Sequence, residues 1–232
     1  MRRAAALSAL VLLLLLAAPG DNRAARQDEV DLRLVFAVDS SYSVNVSEFA
    51  LQQRGMALAL RDPEVMEAIA AGRHRRIALT VIQWAHFDSQ QTVLPWTVIE
   101  TPAEADAAAA ILERQGRAAV VGTTSMSGAI RAGIEALAET TSLGGRAVID
   151  LAADGTNNSG PDVEIYRDLA VSLGVTVNGL AILNEVIYLH HYMRNHMIGG
   201  PGAFVEVASD YKDFAEAFKR KLIREIRGNF VS

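Results

Sequence analysis

The sequence predicts an α/β fold: a doubly wound, mostly parallel sheet with one antiparallel edge strand and helices on both faces. Three observations predict it. Short apolar runs alternate with longer amphipathic segments, the order expected where a helix crosses between parallel strands. Most of these runs are apolar almost throughout instead of at every second residue, as strands covered on both faces are. One pair of runs is joined by a short polar turn, too short for a crossover, so those two pair as an antiparallel hairpin. The 232 residues make one full-sized domain of this kind and not two.

The first element is separate from that domain. Met1-Arg2-Arg3 is basic, residues 4–18 are apolar apart from Ser8, and Ala17, Ala18 and Gly20 are small. That is the order of a secretory signal peptide over residues 1–20. The run falls short of the ~20 apolar residues that span a bilayer, and no later stretch is apolar enough to do so. We expect a flexible leader over residues 21–29, a domain over residues 30–228, and a periplasmic or secreted destination. Cysteine is absent, which excludes thiol catalysis, thiolate metal sites and a lipid-modified cysteine. The net charge of −5 comes with scattered basic residues. The short clusters at residues 73–76 and 219–221 read as solvated surface, so no nucleic-acid partner is expected.

Within the domain, Val30 to Val38 reads as a buried strand ending at Asp39. Residues 46–60 read as a helix with Ser47 as N-cap. Residues 77–84 and 92–99 form the hairpin, flanked by Trp84 and Trp96, which read as packing residues. Residues 102–115 are helical, with Glu104 and Asp106 at the positive end of the dipole. A polar stretch over residues 121–127 leads into a helix over 128–139. Gly144-Gly145 breaks the chain before a strand over 147–153, which ends at Asp154. A helix over 162–173, a strand over 174–182, a helix over 185–197 and a short strand over 203–207 follow. Residues 211–227 close the domain as an amphipathic helix with Phe214, Phe218, Leu222 and Ile226 on one stripe.

In doubly wound sheets, ligands sit beyond the carboxyl ends of the strands. Asp39 and Asp154 both stand there. Asp39-Ser40-Ser41-Tyr42-Ser43 places three oxygen-bearing side chains at alternate positions, hence on one side of an extended turn. Carboxylates and hydroxyls are hard donors, suited to Mg²⁺, Mn²⁺ or Ca²⁺. Residues 122–130 supply loop hydroxyls just before a helix, and Asn157, Asn158 and Ser159 follow Asp154 as a loop over the site.

These segments resemble the metal-ion-dependent adhesion site (MIDAS) of von Willebrand factor type A (vWA) domains. The resemblance covers residues 30 to 227. It aligns the loop threonine of that site with Thr124 and its last aspartate with Asp154, where Ala153 replaces a threonine that is not a ligand. Residues 93–97, 174–180 and 198–204 are similar to a narrower group of exported bacterial vWA proteins of unknown function (DUF1194-like). The resemblance implies one divalent cation held directly by Ser41, Ser43 and Thr124, and mainly through waters by Asp39 and Asp154. It further implies a protein partner that donates a glutamate or aspartate carboxylate, and binding without catalysis.

The alternative is a metal-dependent hydrolase or phosphatase on the same scaffold. Phosphotransfer enzymes with a strand-end aspartate usually have an acid two residues on and a nearby lysine. Here the first position is Ser41, and no lysine lies between Asp39 and Lys212. A nucleophilic role for Ser41 lacks the Gly-x-Ser-x-Gly turn, and His86 falls in the hairpin turn. His190, His191 and His196 have spacings that read as a wetted helix surface and not as a zinc site. Asp150, inside a strand, reads either as an acid supporting the site or as a solvent-facing residue at a sheet edge.

Overall fold

A computed structural model describes residues 29–119 and 122–228. The expected signal peptide and all of the leader but Glu29 lie outside the described residues. β1 (Leu32–Asp39) is apolar on both sides because it lies inside the sheet. β2 (Ile77–Trp84) runs parallel to it on one side and β4 (Arg146–Ala153) on the other. β5 (Thr176–Ile182) and β6 (Val205–Ala208) extend the parallel array beyond β4. β3 (Gln90–Ile99) is the antiparallel edge next to β2, so the order is β3-β2-β1-β4-β5-β6. The expected fold class is therefore the one observed.

The two faces have separate cores. Leu34, Phe36 and Val38 pack against α1 (Val46–Leu60), α2 (Pro63–Ala70), α3 (Pro102–Arg114) and α7 (Phe214–Arg227). Val35 and Ala37 pack against α4 (Met126–Ala138), α5 (Val163–Ser172) and α6 (Leu189–Tyr192). The stripe predicted on the closing helix is the buried one: the Phe218 ring lies 4.5 Å from Phe36 and 5.8 Å from Phe214. Trp84 is fully buried, and Trp96 donates its indole N–H to the Ala136 carbonyl at 3.1 Å, as packing residues do.

Several elements differ from expectation. α2 was not anticipated; Asp62 caps it by accepting from Glu64 N at 2.9 Å, and Pro63 starts it. α1 is capped by Asn45 instead of Ser47, in a reciprocal pair with Glu48. The helix expected over 185–197 shrinks to α6 and a π-helical turn, Met193–Met197. Leu189, Met193 and Met197 bury the one apolar face that segment has, while Ile187 and Tyr188 before it point to solvent. Lys221, expected in a solvated cluster, is fully buried: its Nζ lies 3.0 Å from Asp150 and 2.9 Å from Glu225. Asp150 is thus neither solvent-facing nor beside the candidate site, but the buried counter-ion of α7. Burial pushes its carboxyl up to about 7 against the opposing pull of Lys221.

The amino end of the sheet is tied together around Arg146. Its N–H bonds the Asp31 carbonyl at 3.2 Å, and its guanidinium donates to the Glu225 and Ile226 carbonyls at the end of α7, at 2.8 and 2.9 Å. Just before it, Gly144 and Gly145 adopt φ of 64° and 71°. A Cβ on Gly145 would lie 2.3 Å from the Val30 carbonyl oxygen, so the chain passes here only as glycine.

Candidate metal centre

The carboxyl ends of β1 and β4 deliver Asp39 and the adjoining Asp154 to one place, and three loops bring hydroxyls to it. After β1 the chain turns sharply. Asp39 accepts the Ser41 N–H at 2.7 Å, which folds the Ser41 and Ser43 hydroxyls to the same side, 3.1 Å apart. Ser43 donates to one oxygen of Asp154 at 2.6 Å. Thr124 Oγ1 donates to Ser41 Oγ at 3.3 Å. All five predicted residues are therefore joined in one network, and Tyr42, between the two serines, is left exposed.

The Thr124 loop is held from both directions. Ser125 N bonds the Ala85 carbonyl at the end of β2 at 2.9 Å, and Ser125 Oγ caps α4 by accepting Gly128 N at 3.2 Å. Gly128 is required here because a Cβ would sit 2.7 Å from the Phe87 carbonyl oxygen of the hairpin turn. From the other side the loop after β4 lies over the site, as expected. Asn158 accepts Thr124 N through its side chain and returns its own N–H to Thr124 O, both at 2.9 Å.

Three supporting residues went unrecognised in the sequence. Arg117 donates to the carbonyls of Ser40, Ser41 (3.2 Å) and Val44 (2.6 Å), so a single planar cation clamps the whole turn. Gln52 donates to the Asp39 carbonyl at 3.2 Å. Tyr211 donates its hydroxyl to the second oxygen of Asp154 at 2.8 Å. Only Gly116-Arg117, an arginine after a glycine in a non-helical loop, carried a local signal.

The electrostatics are those of a site with too little positive charge. Asp39 is buried, and its Oδ2 has no hydrogen-bond partner. Burial first, then the Asp154 carboxylate, pushes its pKa up to about 7, with the Ser41 hydrogen bonds opposing. Burial raises Asp154 too, while the hydroxyls of Ser43 and Tyr211 pull it down. Burial and the neighbouring Asp154 raise Tyr211 far above the ordinary phenol range, so it stays a donor. Among the described residues no group of three or more His, Cys, Asp and Glu side chains is placed to hold a metal. This donor set, two carboxylates and three hydroxyls with an orphaned buried oxygen, suits a hard cation and not a soft one. The three histidines do not converge on one point: the His190 and His191 rings lie 4.0 Å apart, tilted by 39°, whereas His196 pairs with Glu164 at 2.6 Å.

The profile of the family described as "Protein of unknown function (DUF1194)" matches residues 29–230. No curated protein matches the sequence. Similar solved structures include proximal thread matrix protein 1 (PTMP1) from the mussel byssus, at TM-score 0.62 and 15% identity, covering 86% of this chain and 47% of that one. A second form of PTMP1 has a zinc-occupied MIDAS, at TM-score 0.56 and 16% identity, covering 85% of this chain and 46% of that one. The pilus adhesin SpaC from Lactobacillus rhamnosus GG is similar at TM-score 0.61 and 15% identity, over 87% of this chain and 31% of that one. A von Willebrand factor type A protein from Catenulispora acidiphila is similar at TM-score 0.57 and 13% identity, over 85% and 43%. The chain spans less than half the length of each of these structures. With the family profile covering residues 29–230 and a fold similar to that of a von Willebrand factor type A structure at TM-score 0.57, the chain belongs to the DUF1194 family and has a vWA-like fold.

Proposed function

We propose that the protein binds one divalent cation, Mg²⁺ (or Mn²⁺ or Ca²⁺), at this centre and uses it to grip a protein partner through a glutamate or aspartate of that partner. One atom carries the reading: Oδ2 of Asp39, buried and unpaired beside three converging hydroxyls. A buried carboxylate oxygen without a partner is costly, and a hard cation removes that cost. Ser41, Ser43 and Thr124 would hold the cation directly, and Asp39 and Asp154 mainly through waters. When bound, it offers an incompletely neutralised positive charge to an anionic oxygen from outside.

The protein's own residues prepare that position. Arg117 fixes the turn, Asn158 fixes the Thr124 loop, and Ser43 and Tyr211 orient Asp154. The rim suits a protein partner: Tyr42 is 76% exposed and Val46 83%. The loop after β5, tied to Glu48 through Asn184 at 3.0 Å, adds exposed Ile187 and Tyr188. Binding is favoured over hydrolysis because Asp154 is engaged at both oxygens and His86 is held in its turn by Asp88 N at 3.3 Å. PTMP1, with its zinc-occupied MIDAS, and the pilus adhesin SpaC lend support by likeness of fold. Export through residues 1–20 to the periplasm or the cell exterior is part of the proposal. Among the described residues no helix is long and apolar enough to cross a membrane.

Titration calorimetry with Mg²⁺ and Mn²⁺ tests the cation. Wild type should bind one ion per chain and melt at a higher temperature with it, and Asp39→Ala should lose both effects while staying folded. Equal affinity in Asp39→Ala removes the proposal. Partner capture by wild type, Thr124→Ala and chelated wild type tests the grip, which is lost in the last two if the cation mediates it. Equal capture by all three makes the cation irrelevant to binding.

A further inference from the structure

The end of the sheet away from the candidate metal centre carries exposed arginines from three separate stretches of chain. Arg73 and Arg75 follow α2, Arg146 starts β4, and Arg224 and Arg227 lie in the last turn of α7. Two clefts bring them together around Arg146. One, of about 490 Å³ between the ends of α2 and α7, is bordered by Arg73, Arg146 and Arg227. The other, of about 530 Å³ beside the start of β5, is bordered by Arg146 and Arg224. The sequence shows only the cluster at residues 73–76; the fold adds the rest.

The acids that border these clefts are already engaged. Asp31, in the first, accepts His74 N with both oxygens at 3.0 Å. Glu225, in the second, is buried and held by Asn178 and Lys221. Arg73, Arg75 and Arg227, in contrast, make no side-chain hydrogen bond or ion pair among the described residues. Arg75 also has φ of 58°, a left-handed conformation that is strained for arginine and free for glycine. That strain is borne by a side chain that holds nothing in the protein itself. A chain of net charge −5 thus gathers unpaired arginine on one surface. Guanidinium forks match phosphate oxygens two at a time, so the complementary chemistry is phosphate repeated over an area.

We propose that this end of the domain docks on the surface of a bilayer rich in anionic phospholipid, with headgroup phosphates taken by the arginines around the two clefts. Two observations favour a bilayer over a soluble polyanion. Leu173, 60% exposed next to Gly174 of the second cleft, adds an apolar side chain that a bilayer accepts and a soluble polyanion does not. The domain also begins at this end, where Val30 N bonds the Leu143 carbonyl. Residues 19–28 join it to the apolar residues 4–18 and reach at most about 35 Å. In the export reading this end therefore meets the bilayer first. That step rests on the export reading; the arginine surface depends neither on it nor on the cation.

The test is sedimentation with vesicles of equal parts phosphatidylglycerol and phosphatidylcholine, in chelator so that no cation bridges protein and lipid. The chain from Asp21 onward is used, which keeps every described residue and leaves out the apolar segment. It should bind these vesicles at about 0.1 M salt, leave them at about 1 M, where screening is nearly complete within ~3 Å, and ignore pure phosphatidylcholine. Arg73→Glu with Arg75→Glu should weaken binding about thirtyfold or more, because each arginine near an anionic bilayer contributes a several-fold gain. Arg54→Glu with Arg114→Glu changes the net charge equally on α1 and α3, outside both clefts, and should stay within about twofold of wild type. Arg75→Gly separates binding from structure: it should bind several-fold more weakly while melting at or above the wild-type temperature. Equal losses in the two double variants, binding that ignores headgroup charge, or a lowered melting temperature in Arg75→Gly overturns the proposal. So does saturable binding of inorganic phosphate or soluble polyphosphate without binding of vesicles, which assigns the surface to a soluble anion. Because the cation is chelated throughout, failure here leaves the metal reading standing, and failure of the metal reading leaves this one.

Discussion

Asp39 holds its proton longer in the folded protein than in the unfolded chain, because it is buried next to Asp154 and its pKa is pushed up to about 7. Between the ordinary carboxylate value and 7 the folded state binds more protons, so stability falls as pH rises through that window. Chelated wild type should therefore lose stability through this group between pH 5.5 and pH 8. Asp39→Asn, which cannot ionise, should flatten that loss and raise metal-free stability at pH 8 by about 1–3 kcal/mol, seen as a higher melting temperature. Thermal melts of both proteins at the two pH values decide it; parallel pH profiles would contradict the assignment. Cation affinity should rise over the same interval, since the ion needs the carboxylate. Arg117→Met should lower stability by about 1–3 kcal/mol, because the carbonyls of Ser40, Ser41 and Val44 lose a charged donor. It should also weaken the cation-induced rise in melting temperature, read in the same instrument. The convergence of Asp39, Ser41, Ser43, Thr124 and Asp154 was legible in the sequence because each stands at a strand end or in a loop with fixed local spacing. Tyr211 was not, since it reaches Asp154 across 57 residues and looks locally like any aromatic near a helix start.

The helices and strands differ in how legible they were, and for a physical reason. Strands β1, β2, β4 and β5 are covered on both sides, so their apolar runs end where the strands end. The segment after β5 carries a helical spacing of apolar residues, yet only Leu189, Met193 and Met197 find a core to enter. The spacing reports burial on one face, not the length of regular helix. α2 escaped notice because it is short, although Asp62-Pro63-Glu64 is a clear start signal. Caps are testable at this scale. Ser125→Ala removes the N-cap of α4 and the bond to the Ser159 carbonyl, and should cost about 1 kcal/mol in urea unfolding. The attachment of α7 is a stronger test. Lys221→Met leaves Asp150 and Glu225 buried without their counter-ion, with Asn178 still donating to Glu225 at 2.8 Å. That loss should reach about 3–5 kcal/mol and be smaller at pH 6 than at pH 8, because burial raises the Asp150 carboxyl and losing Lys221 raises it further, so that it takes up a proton more readily at the lower pH. Urea melts at the two pH values read it, and an unchanged midpoint would mean the pair carries no weight.

Across the whole molecule, the sheet separates two poles. The candidate metal centre occupies the carboxyl end of the strands. Arg146 gathers the start of β1, the start of β4 and the end of α7 at the other. Anything joined to either end of the domain therefore hangs from the pole that faces away from the site. Such a molecule can be tethered at one point and still display its working surface outward, unobstructed by the tether. Fusing a bulky carrier to the amino side, to the carboxyl side or to both should leave the cation-induced rise in melting temperature unchanged. Immobilised through either end at high density, the protein should bind its partner with the affinity it has free in solution.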